Sequence, residues 1–292
     1  MIYRKPLLSL LFLLILLIAQ TSCEKFTGDQ SIPAYISIDS IYLTTNYSLE
    51  GTASQSITDA WVYVDDELIG AFQLPARFPV LREGNHTITV SAGIKKNGIA
   101  STRIAYEYYK PIANVLRITG DSLTKLNILK TTYQTTTNFV WREDFEGTSI
   151  SLDTTKKSLA SLQKTPAGSP LKFEGQYSGM VILDSARSFF ECTTFNEYII
   201  PMTPVFLEMN FNTSNELTVG VIVYTNITLY QIPIITLNKT DGAWKKIYID
   251  LSNSLIAYPN VTTYKVYLGT FIEEGVAQTM ILLDNFKLVT RK

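Results

Sequence analysis

The stretch AWVYVDDELIGAFQL, residues 60–74, indicates an all-β fold. Apolar and polar side chains alternate on both sides of the acidic pair Asp65-Asp66, which is the period of a strand with one buried face. Aspartate tolerates the positive φ angles that a two-residue hairpin turn requires. The stretch therefore predicts a β-hairpin with strands at 60–64 and 67–74.

The same pattern extends outward to cover residues 33–110. The pair Asn97-Gly98 is a second strong hairpin signal. Other strands of this segment are predicted at residues 34–38, 41–44, 86–94 and 100–109. Six or seven short strands in about 75 residues predict a small β-sandwich.

Two segments of this first unit carry a family resemblance. Residues 62–70 (VYVDDELIG) and 83–90 (EGNHTITV) are separated by a proline-rich step. This order resembles a PEGA-type, immunoglobulin-like surface domain. The resemblance implies an extracytoplasmic spacer without catalytic residues.

Residues 111–138 are predicted to be a linker. The segment ends in the low-complexity stretch TTYQTTTN, residues 131–138, for which an exposed edge strand is the alternative. Within it, LTKLNILK, residues 123–130, is the best helix candidate of the chain after the leader. The same eight residues could equally form a strand.

Residues 139–292 predict a second, larger sandwich. Turn residues separate runs rich in Val, Ile, Tyr and Phe at intervals typical of a jelly roll. The predicted strands are 139–145, 177–183, 205–212, 218–225, 232–237, 245–251, 264–271 and 280–289. The predicted fold class is therefore all-β, with a small sandwich followed by a jelly roll.

Four motifs of the second unit, in the expected order, are similar to galactose-binding-like jelly rolls, the fold of many carbohydrate-binding modules. They are EDFEG at 143–147, WKKIYIDL at 244–251, YLG at 267–269 and LDNFKL at 283–288. The resemblance implies a glycan-binding fold and no particular ligand.

The first 22 residues are predicted to be a signal peptide. Arg4 and Lys5 precede an apolar run at 7–19, which as a helix reaches about 20 Å and is too short to cross a bilayer. Ser22-Cys23 then resembles a bacterial lipobox, although Gln20 departs from the usual leucine. The resemblance implies cleavage before Cys23 and its acylation, and several acyl chains give stable anchoring.

The mature N-terminus favours a cell-envelope location. Residues 23–32 are predicted to be a lipidated cysteine with a polar tether, and the Ser-Cys-Glu-Lys start is similar to lipoproteins of Bacteroidota. That resemblance implies anchoring to the outer membrane, either periplasmic or surface-exposed. A plain signal peptide with unmodified Cys23 is the first alternative. A eukaryotic secreted glycoprotein is the second, because the chain has six Asn-X-Ser/Thr sequons.

Composition argues against several function classes. The chain has 25 Lys+Arg against 26 Asp+Glu, whereas a nucleic-acid partner requires a basic surplus. It has one histidine, His86, and two cysteines, Cys23 and Cys192. No zinc cluster and no Ser-His-Asp or Cys-His set can be assembled from them. We therefore predict a non-catalytic protein that requires no cofactor.

Candidate site residues are predicted only in the second unit. The first and last strands of such jelly rolls often run side by side, and in several relatives a structural calcium ion lies there. The resemblance therefore implies Glu143 (or Asp144), Glu146 and Asp284 as ligands. Solvated carboxylates at strand ends are the alternative.

Saccharide binding needs an exposed aromatic platform. The aromatics predicted to lie in loops are Tyr177, Tyr230 and Tyr258, whereas Trp244 is predicted to be structural. The leading hypothesis is a lipid-anchored envelope protein whose jelly roll binds glycan, with the first unit as a spacer. The alternative is a structural or assembly component of the envelope that binds a protein partner.

Overall fold

The computed structural model describes residues 32–292, which are nearly all in β-strands or the turns between them. The predicted leader and Cys23 lie outside the described residues. The elements of the first unit are β1 (Ala34–Leu43), α1 (Tyr47–Glu50), β2 (Asp59–Val64), β3 (Glu67–Gln73), β4 (Ala76–Val80), β5 (Gly84–Lys95), β6 (Arg103–Ala105), β7 (Ile112–Ile118) and β8 (Leu123–Thr131).

Two sheets form the first sandwich. One sheet has the order β4-β1-β8, and the other has the order β3-β2-β5-β6 with β7 also paired to β5. The β2–β3 hairpin is present as predicted, and Asp65 and Asp66 have φ angles of 48° and 66°. Alternate residues of these strands, such as Ile36, Val62 and Ile88, fill the core between the sheets.

The structure corrects the predicted linker at 111–138. Strand β7 pairs antiparallel with β5, and β8 pairs in parallel with β1, so both belong to the first sandwich. The apolar alternation in IANVLRI and LTKLNILKT has the strand period, and residues 123–130 are therefore a strand rather than a helix. The predicted strand 100–109 is shorter than expected, since only Arg103–Ala105 pairs in the sheet.

The second unit is a jelly-roll sandwich. Its elements are β9 (Thr137–Glu143), β10 (Leu152–Thr154), β11 (Gln163–Lys164), β12 (Gly179–Asp184), β13 (Phe189–Thr194), β14 (Tyr198–Ile199), β15 (Phe206–Thr213), β16 (Leu217–Thr225), β17 (Leu229–Leu237), β18 (Lys245–Asp250), α2 (Ser252–Leu255), β19 (Val261–Phe271) and β20 (Gln278–Arg291). All eight predicted strands are present, and β10, β11, β13 and β14 were not predicted.

The jelly roll consists of two sheets that face each other across an apolar core. The first has the order β10-β13-β19-β16-β17, with β14 on β19, and the second has the order β11-β12-β20-β15-β18, with β9 on β20. Cys192 is a free, buried thiol within this core. Within residues 32–292, no helix is both long enough and apolar enough to cross a membrane.

The two units share an apolar interface. Phe206, Tyr248 and Val289 project from the outer face of the β20-β15-β18 sheet and join the core cluster of the first unit. Tyr106 of the first unit contacts the rings of Phe206 and Tyr248 at centroid distances of 5.3 and 5.0 Å. One face of the jelly roll is thus covered by the first sandwich.

Candidate functional site

A groove of 680 Å³ lies between the two units, along β18. This volume is in the range of ligand-binding clefts, which often form at domain interfaces. Within residues 32–292, β18 and β17 are the last strands of the two jelly-roll sheets, although Tyr248 of β18 also forms a single bridge to Lys96 of the first unit. The groove therefore follows the edges of both sheets. It is therefore a cleft with exposed strand edges on one side.

The Asn97-Gly98 turn closes one end of the groove. Both residues have positive φ angles, 55° and 68°, as the sequence signal predicts for a tight turn. The backbone N–H of Asn97 donates to the carbonyl of Tyr248 at 2.8 Å, and the N–H of Asp250 donates to Asn97 Oδ1 at 2.8 Å. These two hydrogen bonds use the backbone groups at the C-terminal end of the β18 edge. The remaining part of that edge lies beside the groove.

The segment between α1 and β2 forms a strap, residues 51–56, across the outer face of the jelly-roll sheet. Lys287 Nζ donates to the carbonyl of Thr52 at 2.6 Å, and Ser54 Oγ donates to Asn210 Oδ1 at 2.7 Å. The N–H of Ser56 donates to the hydroxyl of Tyr248 at 3.0 Å. The strap thereby brings Ser54, Gln55 and Ser56 into the groove wall.

A buried charged network lies beneath the strap. Glu208 is fully buried on β15 and accepts hydrogen bonds from Tyr106 at 2.8 Å and Tyr133 at 2.9 Å, both hydroxyls of the first unit. Lys246 Nζ is 3.3 Å from Glu208 Oε2. Burial lowers the pKa of Lys246, and it lowers the pKa of Lys287 to about 7. The network couples the two units electrostatically.

The groove combines aromatic rings with hydroxyl and amide side chains. Phe173 and Trp244 lie together, with ring centroids 5.3 Å apart, and both contribute to the wall. The hydroxyl and amide side chains of the wall belong to Ser54, Gln55, Ser56, Asn97, Asn210, Thr236, Asn238 and Tyr248, and Lys95, Lys245 and Lys246 also contribute to it. Such a wall can stack on the C–H face of a sugar ring and exchange hydrogen bonds with its hydroxyls.

The structure brings two of the predicted binding residues together outside this groove. The rings of Tyr230 and Tyr258 stack with centroids 3.9 Å apart and an interplanar angle of 4°. Tyr230 lies in β17 rather than in a loop and packs against the core, whereas Tyr258 is 40% exposed. Neither residue contributes to the groove wall.

The third predicted aromatic, Tyr177, lies just before β12 in the other sheet. It is half-buried against the core, and Lys164 Nζ is 5.1 Å from the centre of its ring. Its backbone N–H donates to Glu146 Oε1 at 3.0 Å. The structure therefore places Tyr177 beside a predicted metal ligand and not beside Tyr230 or Tyr258.

The predicted metal ligands hold loops of the jelly roll. Glu143 accepts hydrogen bonds from the N–H of Phe145 at 2.7 Å and from the N–H and hydroxyl of Ser151 at 2.5 and 2.6 Å. Glu146 also accepts from the N–H of Gln176 at 2.8 Å.

Asp284 is buried at a strand position. It accepts a hydrogen bond from the Ser178 hydroxyl at 2.5 Å, and burial raises its pKa to about 7. Within residues 32–292, no group of three or more His, Cys, Asp or Glu residues is arranged to hold a metal ion. A calcium ion shared by Glu143, Glu146 and Asp284 stays a prediction, and we assign no role to one.

Sequence reasoning missed the residues that build the groove. Trp244 was predicted to be structural, and Lys246, Asn210 and Glu208 were not singled out. The sequence does contain one signal of the buried network. Glu208 interrupts the apolar run VFLEMNF, and a charged side chain at a buried strand position needs a buried polar partner. Its partners Tyr106 and Tyr133 could not be identified without the fold.

Comparisons with known proteins give neighbours by fold. The xylan-binding CBM22-2 domain from Paenibacillus barcinonensis is 15% identical, covers 52% of this chain and 99% of its own length, and has a TM-score of 0.38. A CBM61 module in complex with beta-1,4-galactotriose is 14% identical, covers 48% of this chain and 87% of its own length, and has a TM-score of 0.30.

A third structure comes from the β-sandwich superfamily of carbohydrate-binding modules. It is 10% identical, covers 79% of this chain and 84% of its own, and has a TM-score of 0.35. No protein-family model matches the chain, and no curated protein matches it.

Proposed function

We propose that this chain is a non-catalytic, lipid-anchored envelope protein that binds a saccharide in the groove along β18. The observation that carries the proposal is the Phe173–Trp244 pair beside a wall of hydroxyl and amide groups. An aromatic surface with a few placed polar groups suits a sugar, which presents C–H faces and hydroxyls together.

The composition of the groove wall also favours saccharide binding over saccharide hydrolysis. A glycosidase needs two carboxylates about 5–10 Å apart across its cleft. Among the described residues, none of those that line the groove is an aspartate or a glutamate. The groove as built therefore suits recognition of a glycan.

A glycan array with the full-length chain in detergent tests the proposal. Trp244→Ala should abolish specific binding, because it removes one ring of the Phe173–Trp244 pair on which the sugar would stack. Tyr258→Ala is the matched control, since Tyr258 is an exposed aromatic of the same unit outside the groove. No binding by the folded chain, or equal binding by both variants, would refute the proposal.

The membrane anchor is part of the proposal and has its own test. A lipidated Cys23 carries diacylglycerol on its sulfur through a thioether bond and has no thiol, whereas Cys192 is a free thiol. Thiol titration of the denatured full-length chain should therefore give one thiol per molecule if Cys23 is lipidated. Two thiols would contradict the anchor, and with it the outer-membrane location that we propose.

A second candidate function, a structural or assembly component that binds an envelope protein, is favoured by one observation. Apolar side chains are exposed at one end of the jelly roll: Ile199 is 82% exposed and Ile227 is 96% exposed. Ile199 and Tyr224 are both cross-strand neighbours of Thr263, and Leu229 is the neighbour of Tyr224, so this row crosses one face. Crosslinking in envelope extracts should recover a partner with the wild type and lose it with Ile227→Asp.

A further inference from the structure

We infer that a second ligand site lies on the other side of the strap, in an acidic cavity that takes a linear di- or polyamine. The cavity has a volume of 530 Å³, and Asp144, Glu146 and Glu174 contribute the charge of its wall. Residues 52–53 of the strap line this cavity, whereas residues 54–56 line the saccharide groove. The two cavities share no residue, so the occupant of the acidic cavity does not depend on the proposed saccharide binding.

The three carboxylates have no counter-charge in the cavity wall. Among the described residues, no lysine or arginine lines the cavity, and none of the three acids forms an ion pair. A smaller neighbouring cavity of 270 Å³ is lined by two cations, Arg142 and Lys287. Both donate to backbone carbonyls, Arg142 to those of Tyr47 and Ser48 and Lys287 to that of Thr52. The acidic cavity therefore keeps a local excess of negative charge, which attracts a cation.

The carboxylates are held in place by the protein and still have oxygens to offer. The Tyr47 hydroxyl donates to Asp144 Oδ2 at 2.6 Å, and Asn285 Nδ2 donates to Glu174 Oε1 at 2.6 Å. Glu146 Oε1 accepts from two backbone N–H groups just before β12. Within residues 32–292, the second carboxylate oxygens of Glu146 and Glu174 accept no hydrogen bond. Charge-assisted hydrogen bonds from an ammonium to these partly exposed oxygens need no rearrangement of the wall.

Asn285 is an independent sign that this cavity takes a hydrogen-bond donor. The residue is 2% exposed and lines the cavity. Its Nδ2 is used by Glu174, whereas its Oδ1 has no hydrogen-bond partner among the described residues. A buried carbonyl oxygen without a donor is unfavourable, and an incoming N–H group would satisfy it. The wall thus presents one neutral acceptor together with three charged ones.

The spread of these acceptors favours an organic cation over a bare metal ion. Within residues 32–292, no group of three or more His, Cys, Asp or Glu residues is arranged to hold a metal ion. Calcium draws its oxygens to about 2.3–2.6 Å from one point, whereas a polyamine carries its N–H donors along a flexible chain. Tyr47 and Ala53 also line the cavity and offer apolar surface to the methylene groups, and an aromatic ring attracts an ammonium. Three carboxylates match a ligand with more than one positive charge.

Calorimetric titration of the full-length chain in detergent tests the inference. The probes are spermidine, cadaverine, the neutral diol of the same chain length as cadaverine, and calcium chloride. We expect both amines to bind, spermidine more tightly because it carries one more charge, and the diol not to bind. The affinity for spermidine should fall when added salt shortens the screening length.

Matched acid variants identify the site. Glu174→Gln keeps an acceptor for Asn285 and removes one charge, so it should weaken spermidine binding about tenfold, which equals ~1.4 kcal/mol. Asp144→Asn likewise keeps an acceptor for Tyr47 and should have a similar effect, and it serves if Glu174→Gln does not fold. Glu274→Gln is the control, because this exposed acid lies between β19 and β20 outside the cavity, and it should leave the affinity unchanged.

Several results would overturn the inference. They are the absence of spermidine binding by the folded chain, equal binding of the diol, and equal effects of Glu174→Gln and Glu274→Gln. Calcium binding that excludes spermidine and is lost in Glu174→Gln would show a metal site instead, and it also overturns the inference. Trp244→Ala should leave spermidine binding unchanged, so failure of the polyamine site and failure of the proposed saccharide groove are separate results.

Discussion

Replacement of Glu208 by alanine should destabilise the whole chain by about 3–5 kcal/mol. The side chain is 0% exposed and connects the jelly roll to two tyrosines of the first unit. The substitution removes the carboxylate that faces Lys246 at 3.3 Å and leaves a buried ammonium without its counter-charge. Such a loss is costly because the remaining charge is still shielded from water.

The magnitude follows from two overlapping contributions. Breaking a buried ion pair by removing one partner costs about 3–5 kcal/mol. Each buried hydroxyl that loses its acceptor, here those of Tyr106 and Tyr133, costs about 1–3 kcal/mol. Because the same carboxylate serves all three groups, the contributions do not add, and we keep the range for the ion pair alone.

Urea unfolding followed by tryptophan fluorescence measures the change in free energy. Glu67→Ala is the control, because Glu67 forms an exposed ion pair with Arg82 and should cost less than about 1 kcal/mol. The double variant Glu208→Met/Lys246→Met should be more stable than Glu208→Ala, since it removes both buried charges together. A loss below about 1 kcal/mol for Glu208→Ala, at unchanged urea dependence, would refute the reasoning.

Four further predictions follow from single sites. Burial raises the pKa of Asp284 from 3.8 to about 7, so its contribution to stability is present below pH 3.8 and is lost as the pH rises through 7. Relative to Asp284→Asn, the wild type should therefore lose roughly 4 kcal/mol of unfolding free energy between these two pH values. Urea unfolding at several pH values measures this loss. Arg142 donates to the carbonyls of Tyr47 and Ser48 at 3.2 and 3.1 Å, so Arg142→Ala should speed amide exchange in α1 and the strap, and unchanged exchange would contradict this. Tyr258→Ala should lower stability by about 1 kcal/mol, because it removes the ring stacked on Tyr230, and a change above about 3 kcal/mol would show a larger role. Burial raises the pKa of the Cys192 thiol, so native protein at pH 8 should not react with a thiol reagent until it is unfolded.

Local sequence signals were sufficient to predict the strands but not the strand partners. Alternation and turn residues act within a few positions, so the Asp65-Asp66 and Asn97-Gly98 hairpins could be predicted. The parallel pairing of β1 with β8 joins residues about 88 positions apart, such as Tyr35 and Leu123, and no local pattern encodes it. This is why residues 111–138 were predicted to be a linker.

The groove could not be predicted because it exists only between distant segments. Ser54 and Asn210, which form a hydrogen bond at its wall, are 156 residues apart. The sequence predicts that aromatic side chains of the jelly roll bind the saccharide. The candidates were the aromatics predicted to lie in loops, and these do not line the groove. A tryptophan beside an alternating strand is commonly buried, whereas the inter-unit cleft leaves Trp244 half-exposed.

The buried charges also bear on the role of the first unit, for which sequence resemblance implied a spacer. A sheet face that carries Glu208, Lys246 and Lys287 could not be covered by apolar side chains without a large desolvation cost. The first unit instead supplies the hydroxyls of Tyr106 and Tyr133 to Glu208, and the strap supplies the Thr52 carbonyl to Lys287. Because the strap and the Asn97-Gly98 turn also form part of the groove wall, removal of the first unit should abolish ligand binding, whereas a spacer could be removed without that effect.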